Sequence, residues 1–105
     1  MAKIIKTNML DSMITEATNL VERTFTSHND NKERAERIER EFQKYMSGNR
    51  DVGLNRFRCV NKKYTTDYEQ SIIEFEPEND YLFIAFVIDD RIVFLGDIPL
   101  DQVIF

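Results

Sequence analysis

Apolar positions along the 105-residue chain fall into two regimes. Between Met9 and Phe25 they recur every three or four residues, at Met9, Leu10, Met13, Ile14, Ala17, Leu20, Val21 and Phe25. That spacing lines one stripe of an α-helix. Thr7 or Asn8 is the expected N-cap, and Asp11 complements the helix dipole in the first turn. Thr15, Thr18 and Thr24 lower the local helix propensity, so packing of the stripe has to hold this helix. Residues 26–31, Thr-Ser-His-Asn-Asp-Asn, punctuate the pattern, because Asn, Asp and Ser bond their own backbone. A second helix is predicted from Lys32 to Ser47, with a narrower stripe of Ala35, Ile38, Phe42, Tyr45 and Met46. Glu33–Arg37 and Glu36–Arg40 are i,i+4 pairs in the favourable order. Gly48 is the expected left-handed residue at its end. One long helix bent near Asn29 is the alternative; the hairpin is preferred.

From Leu54 the period becomes two. Phe57 and Cys59 share one face of a strand over Leu54–Val60, and Arg56 and Arg58 share the other. Asn61-Lys62-Lys63 reads as a turn and residues 64–76 as a second strand region, with Ile73 and Phe75 facing inward. Pro77-Glu78-Asn79-Asp80 is a turn. Tyr81–Ile88 is apolar throughout and suits a central strand covered on both faces. Asp89-Asp90 is a hairpin signal, and Arg91–Leu95 is the returning strand. Pro99 fits a short helix start, and Gln102–Phe105 fits an edge strand equally well. Connections this short leave no room for helical crossovers, so the sheet is expected to be antiparallel. The fold class is therefore α+β: two N-terminal helices, or one bent helix, on a mostly antiparallel sheet of about four strands. All of it forms one domain, helical over 7–47 and sheet over 54–105.

Composition narrows the class. Hydrophobic residues make up 42% and charged residues 31%, as in a folded globular chain rather than a disordered one. The single cysteine, Cys59, excludes an intrachain disulfide and points to a reducing compartment. The first residues carry no apolar signal-peptide core, and the longest apolar run, Tyr81–Ile88, is far too short to span a bilayer. A cytoplasmic protein without a membrane partner is expected. The richness in Asn, Lys, Ile, Glu and Asp suggests a bacterial or phage source.

Charge adds an asymmetry to the net −5. Residues 1–63 hold 13 of the 14 basic residues against 9 acidic ones, whereas 64–105 hold Arg91 alone against 10 acidic residues. Arg50, Arg56, Arg58, Lys62 and Lys63 form a candidate basic patch that could meet nucleic-acid phosphates. An ordinary solvated strand face explains them as well. Glu74, Glu76, Glu78, Asp80, Asp89 and Asp90 are the candidate binding residues of the acidic half. Their alternative is a surface that keeps strand edges apart. His28, the only histidine, sits in a polar turn, and Cys59 alternates with inward apolar residues, so neither reads as a catalytic group. Asn29-Asp30-Asn31 begins like a calcium loop but lacks its glycine and its closing glutamate. The three glycines are too scattered for a phosphate loop. No metal site or cofactor is expected.

The stretches Ile73-Glu74-Phe75-Glu76, Asp80 to Asp89, Ile92-Val93-Phe94 and Ile98-Pro99-Leu100 together resemble the closing strands of restriction-endonuclease-like, PD-(D/E)XK, folds. The resemblance covers at most the second half of the chain. It implies a divalent metal held by an Asp and by an acid two positions before a lysine. Asp51 matches the first acid and Lys62 the lysine. Val60 occupies the position of the second acid, so the catalytic motif is not intact.

The function these residues favour is a small acidic non-enzymatic binding protein, such as a phage or mobile-element inhibitor, that docks on a protein partner through its acidic half. The alternatives are a nuclease-like nucleic-acid-binding domain and a structural oligomer subunit. A broad stripe on helix 1 and a strand apolar on both faces also suggest a homodimer.

Overall fold

The structure, a computed structural model, describes residues 1–48, 56–78, 80–99 and 102. Its elements are β1 (Lys3–Thr7), α1 (Asp11–Ser27), α2 (Asn31–Ser47), β2 (Arg58–Lys63), α3 (Thr66–Glu74), β3 (Phe83–Ile88) and β4 (Arg91–Gly96). The strands form one sheet in the order β1-β3-β4-β2, and every pairing is antiparallel. The expected α+β class and antiparallel four-stranded sheet are what the chain adopts.

The two N-terminal helices are a hairpin, and Arg34 shows why they are not one bent rod. Its guanidinium donates to the carbonyls of His28 and Phe25 and to Asn31 Oδ1, and it lies 4.2 Å over the Phe25 ring. The carbonyls that end α1 are thus satisfied by a side chain from α2. Asp30 caps α2 by accepting from the Glu33 amide at 2.9 Å. Thr24, poor in isolated helices, is buried here and returns its hydroxyl to the Leu20 carbonyl at 2.7 Å.

The sheet separates two cores. On the helix-hairpin face, Ile84, Phe86, Ile88, Val93 and Leu95 pack with Met13, Ala17, Leu20, Val21, Ile38, Phe42 and Met46. On the other face, Phe83, Ala85, Ile92 and Phe94 pack with Ile72 of α3 and with Ile98. Alternate residues of β3 and β4 thus serve opposite cores, which is why Tyr81–Ile88 is apolar at nearly every position.

Several expectations need correction. Residues 64–76 are not a strand but contain α3. Tyr64, Tyr68, Ile72 and Phe75 recur at helical spacing and all pack on the second core. Thr65 caps the helix by accepting from the Tyr68 amide at 3.0 Å, and Asp67 and Glu69 lie in its first turn. The inward residue is therefore Ile72, fully buried, while Ile73 is 47% exposed. Asn61-Lys62-Lys63 is not a turn; β2 continues through it to Lys63.

The chain also begins with a strand, β1, that period-two reading misses because a register shift falls between Ile4 and Lys6. The helical region accordingly starts at Asp11 rather than residue 7. Neither Thr7 nor Asn8 caps α1. Its N-cap is Leu10, without a side-chain bond, while Asn8 is spent on the Phe83 amide and the Tyr81 carbonyl. Gly48 ends α2 in right-handed geometry, not left-handed. The Pro99 carbonyl accepts from the Gln102 amide at 2.9 Å; Leu54, residues 100 and 101 and residues 103–105 lie outside the described residues.

Finally, α3 covers the second face of the sheet. The apolar character of β3 on both faces is thereby accounted for within one chain and does not require a second copy.

Candidate interaction surfaces

The acidic candidates separate into two groups. Because α3 starts beside the β3–β4 turn, where Tyr64 N–H bonds the Asp90 carbonyl at 2.8 Å, it runs down the sheet toward the start of β3. Glu74, Glu76, Glu78 and Asp80 therefore gather where α3 ends and the chain enters β3, and all four are exposed. Asp89 and Asp90 occupy the opposite end of the six-residue β3, about 20 Å away at the rise of an extended strand. Asp89 makes that tight turn in the left-handed region, with φ 54°.

The first group is held by few partners. Glu74 accepts from Gln70 one turn earlier at 2.9 Å. Glu76 pairs with Lys6 at 3.1 Å on the surface. Glu78 and Asp80 have no hydrogen-bond or ion-pair partner among the described residues. Lys6 also donates to the Ile73 and Phe75 carbonyls, at 2.8 and 2.7 Å, and so supplies the cation that the last turn of α3 lacks in its own sequence.

The second group shares a surface groove of about 340 Å³ with Lys3, Lys63, Tyr64, Glu69 and Val87. Here acids and amines from β1, β2 and the hairpin face each other. Tyr64 donates to the Glu69 carboxylate; this bond, aided by burial and by the carboxylate's charge, raises the phenol above its ordinary range.

The basic patch is divided as well. Arg58 and Lys62 lie on the α3 side of β2 with Val60, and the Lys62 ammonium sits 5.5 Å above the Tyr68 ring. Arg56 lines a groove between α2 and β2 with Glu36, Glu39, Arg40, Gln43, Lys44 and Phe57. Lys63 faces the hairpin groove. Arg50 and Asp51 lie outside the described residues. Phe57 and Cys59 share the helix-side face, as their alternation predicts. Desolvation of this half-buried side chain, with the nearby Glu39 carboxylate, pushes the Cys59 thiol up, so the protonated form is favoured near neutral pH.

His28 accepts or donates at Nδ1 with the Ser27 hydroxyl at 2.8 Å, and its Nε2 lies 3.5 Å from Glu33. Asp30, the middle residue of the calcium-like tripeptide, is used up as the α2 cap. No three His, Cys, Asp or Glu side chains among the described residues converge to hold a metal ion. No helix is long and apolar enough to cross a membrane among those residues.

No protein-family model matches the chain, and no curated protein matches it. Solved structures do. The fold is similar to a dynein light chain-like domain. That domain belongs to the Fasciola hepatica calcium binding protein FhCaBP2, whose native crystal is 19% identical, with 94% of this chain and 92% of that chain covered and a TM-score of 0.63. A mercury derivative of the same domain is 18% identical, with 93% and 92% covered and a TM-score of 0.61. At this identity the likeness is one of fold. Its near-complete coverage of both chains shows that the helix hairpin and the sheet belong to one architecture.

Proposed function

We propose that this chain is a small non-enzymatic protein-binding module that docks on a basic partner surface through the carboxylates between Glu74 and Asp80. The observation that carries the reading is the gathering of four exposed carboxylates, Glu74, Glu76, Glu78 and Asp80, where α3 ends and the chain enters β3. Glu74 accepts from Gln70 and Glu76 pairs with Lys6. Glu78 and Asp80 stand exposed without such partners. Exposed, unpaired carboxylates steer and orient a complementary partner more than they stabilise their own fold. The likeness to a domain type named for a light chain of dynein supports an interaction role over a catalytic one. Action by occupying a partner's basic surface is also how a small inhibitor would work.

Affinity capture from lysate, at low and then high salt, tests this. The expected result is a basic partner that is released as salt rises. A Glu74→Lys/Glu78→Lys/Asp80→Lys variant should lose it, while Asp89→Lys/Asp90→Lys, altered at the far end of β3, should keep it. Equal capture by the first variant would sink the assignment to this segment.

A further inference from the structure

The outer edge of β2 closes the sheet on one side, and an edge strand normally presents unpaired N–H and C=O groups to any strand that arrives. In β2 the amides of alternate residues point away from β4. Tyr64, just past the strand, donates inward to Asp90, so the outward set is Phe57, Cys59, Asn61 and Lys63. Side chains meet two of these four amides and the carbonyl of a third residue. The Phe57 amide donates to Gln43 Oε1 at 2.7 Å, and the Cys59 amide donates to Glu39 Oε1 at 3.0 Å. At Asn61 the carbonyl accepts from Arg91 Nη2 at 3.1 Å, and its side-chain amide donates to the Asn31 carbonyl at 3.1 Å.

The match between α2 and β2 is geometric. Glu39 and Gln43 are four residues apart on one face of a helix, a rise of about 6 Å. Phe57 and Cys59 are two residues apart on a strand, a rise of about 6.6 Å. With α2 antiparallel to β2, two successive helix turns meet two successive outward amides. The two side-chain oxygens stand where the carbonyls of a neighbouring strand would stand.

We propose that Glu39 and Gln43 form a built-in guard on the β2 edge, which keeps this sheet from taking a further strand there, including β2 of a second copy of the chain. The guard is independent of the acidic docking segment, which lies at the end of α3.

Amide hydrogen exchange and light scattering on the full chain test it. In the unaltered protein the Phe57 and Cys59 amides should be protected to the same degree at every protein concentration, because the acceptors come from the same chain. In Glu39→Ala/Gln43→Ala these two amides should exchange about tenfold faster when dilute. As concentration rises, the variant should gain mass and recover protection at Phe57 and Cys59. Glu39→Gln, which keeps an accepting oxygen, should behave as the unaltered chain and guards against a variant that simply fails to fold. Protection that grows with concentration in the unaltered protein would overturn the proposal, since a partner strand would then be the acceptor. A double variant whose two amides open yet whose mass never changes would overturn it too.

Discussion

The Lys6 ammonium donates to the Phe75 carbonyl at 2.7 Å, and so the first strand of the chain closes the last helix turn, 69 residues away. The same nitrogen reaches the Ile73 carbonyl at 2.8 Å. Lys6→Met keeps the apolar stem but removes the donor. Loss of a charged donor from partly exposed acceptors should cost about 1–2 kcal/mol in urea unfolding. Exchange of the amides near the end of α3 should rise first.

Neighbouring isoleucines on α3 should respond in opposite ways. Ile72 is fully buried against Phe83 and Phe94, whereas Ile73 is 47% exposed. Ile72→Ala should cost about 2–4 kcal/mol and Ile73→Ala less than about 0.5 kcal/mol. Chemical denaturation of both variants checks this. A larger loss at Ile73 would restore the extended reading of residues 64–76.

Gly96 ends β4 where no side chain fits. A Cβ there would lie 2.8 Å from the Leu82 carbonyl oxygen and 3.1 Å from Phe83 Cβ. Beside it, Asp97 and Leu82 exchange two bonds: the Asp97 carboxylate accepts from the Leu82 amide at 2.8 Å, and the Asp97 amide donates back at 3.1 Å. Gly96→Ala should push this pair apart and destabilise the fold by about 1–3 kcal/mol, read as a lowered denaturation midpoint. An unchanged midpoint would mean that the strand end is looser than its contacts indicate.

Tyr64 should titrate above the ordinary tyrosine range. Its bond to Glu69 favours the protonated phenol, so its folded value lies above the unfolded one. The stabilisation is then fully present below the ordinary tyrosine range, about pH 10, and is lost as pH rises through the folded value. Ring-resonance titration by NMR should show this delay, and Glu69→Gln should shorten it.

Cys59 should be slow toward thiol reagents. The raised thiol and its place beneath α2 leave little accessible thiolate. At pH 8 the folded chain should react about a hundredfold more slowly than the urea-unfolded chain. Comparable rates in both states would contradict this burial.

The helix hairpin and the β3–β4 hairpin are written in local pattern. Two stripes at helical spacing, an Asp30 cap, an unbroken apolar strand and an Asp89-Asp90 turn each act within a few residues, so their elements can be read in order along the chain. The α3 signal was equally local: Thr65 before Asp67 and Glu69, then Tyr68, Ile72 and Phe75 three to four apart. The period-two pairing of Ile73 with Phe75 competes with it, and a nine-residue helix is too short to outweigh that pairing in the sequence pattern. Strand β1 could not be read in this way, since an edge strand with a register shift carries no clean alternation, and its partner lies some 80 residues away.

The surfaces follow the same division. The sequence by itself determined the α+β class and the asymmetry of charge, because these depend on residue type and near-neighbour spacing. Only the tertiary structure decided that the acidic residues occupy two ends of the sheet, that Lys6 completes α3, and that Glu39 and Gln43 occupy the β2 edge. Each of those outcomes joins groups 14 or more positions apart, or separates groups only nine apart. Distance along the chain carries no information about such pairs until the sheet order β1-β3-β4-β2 has been set.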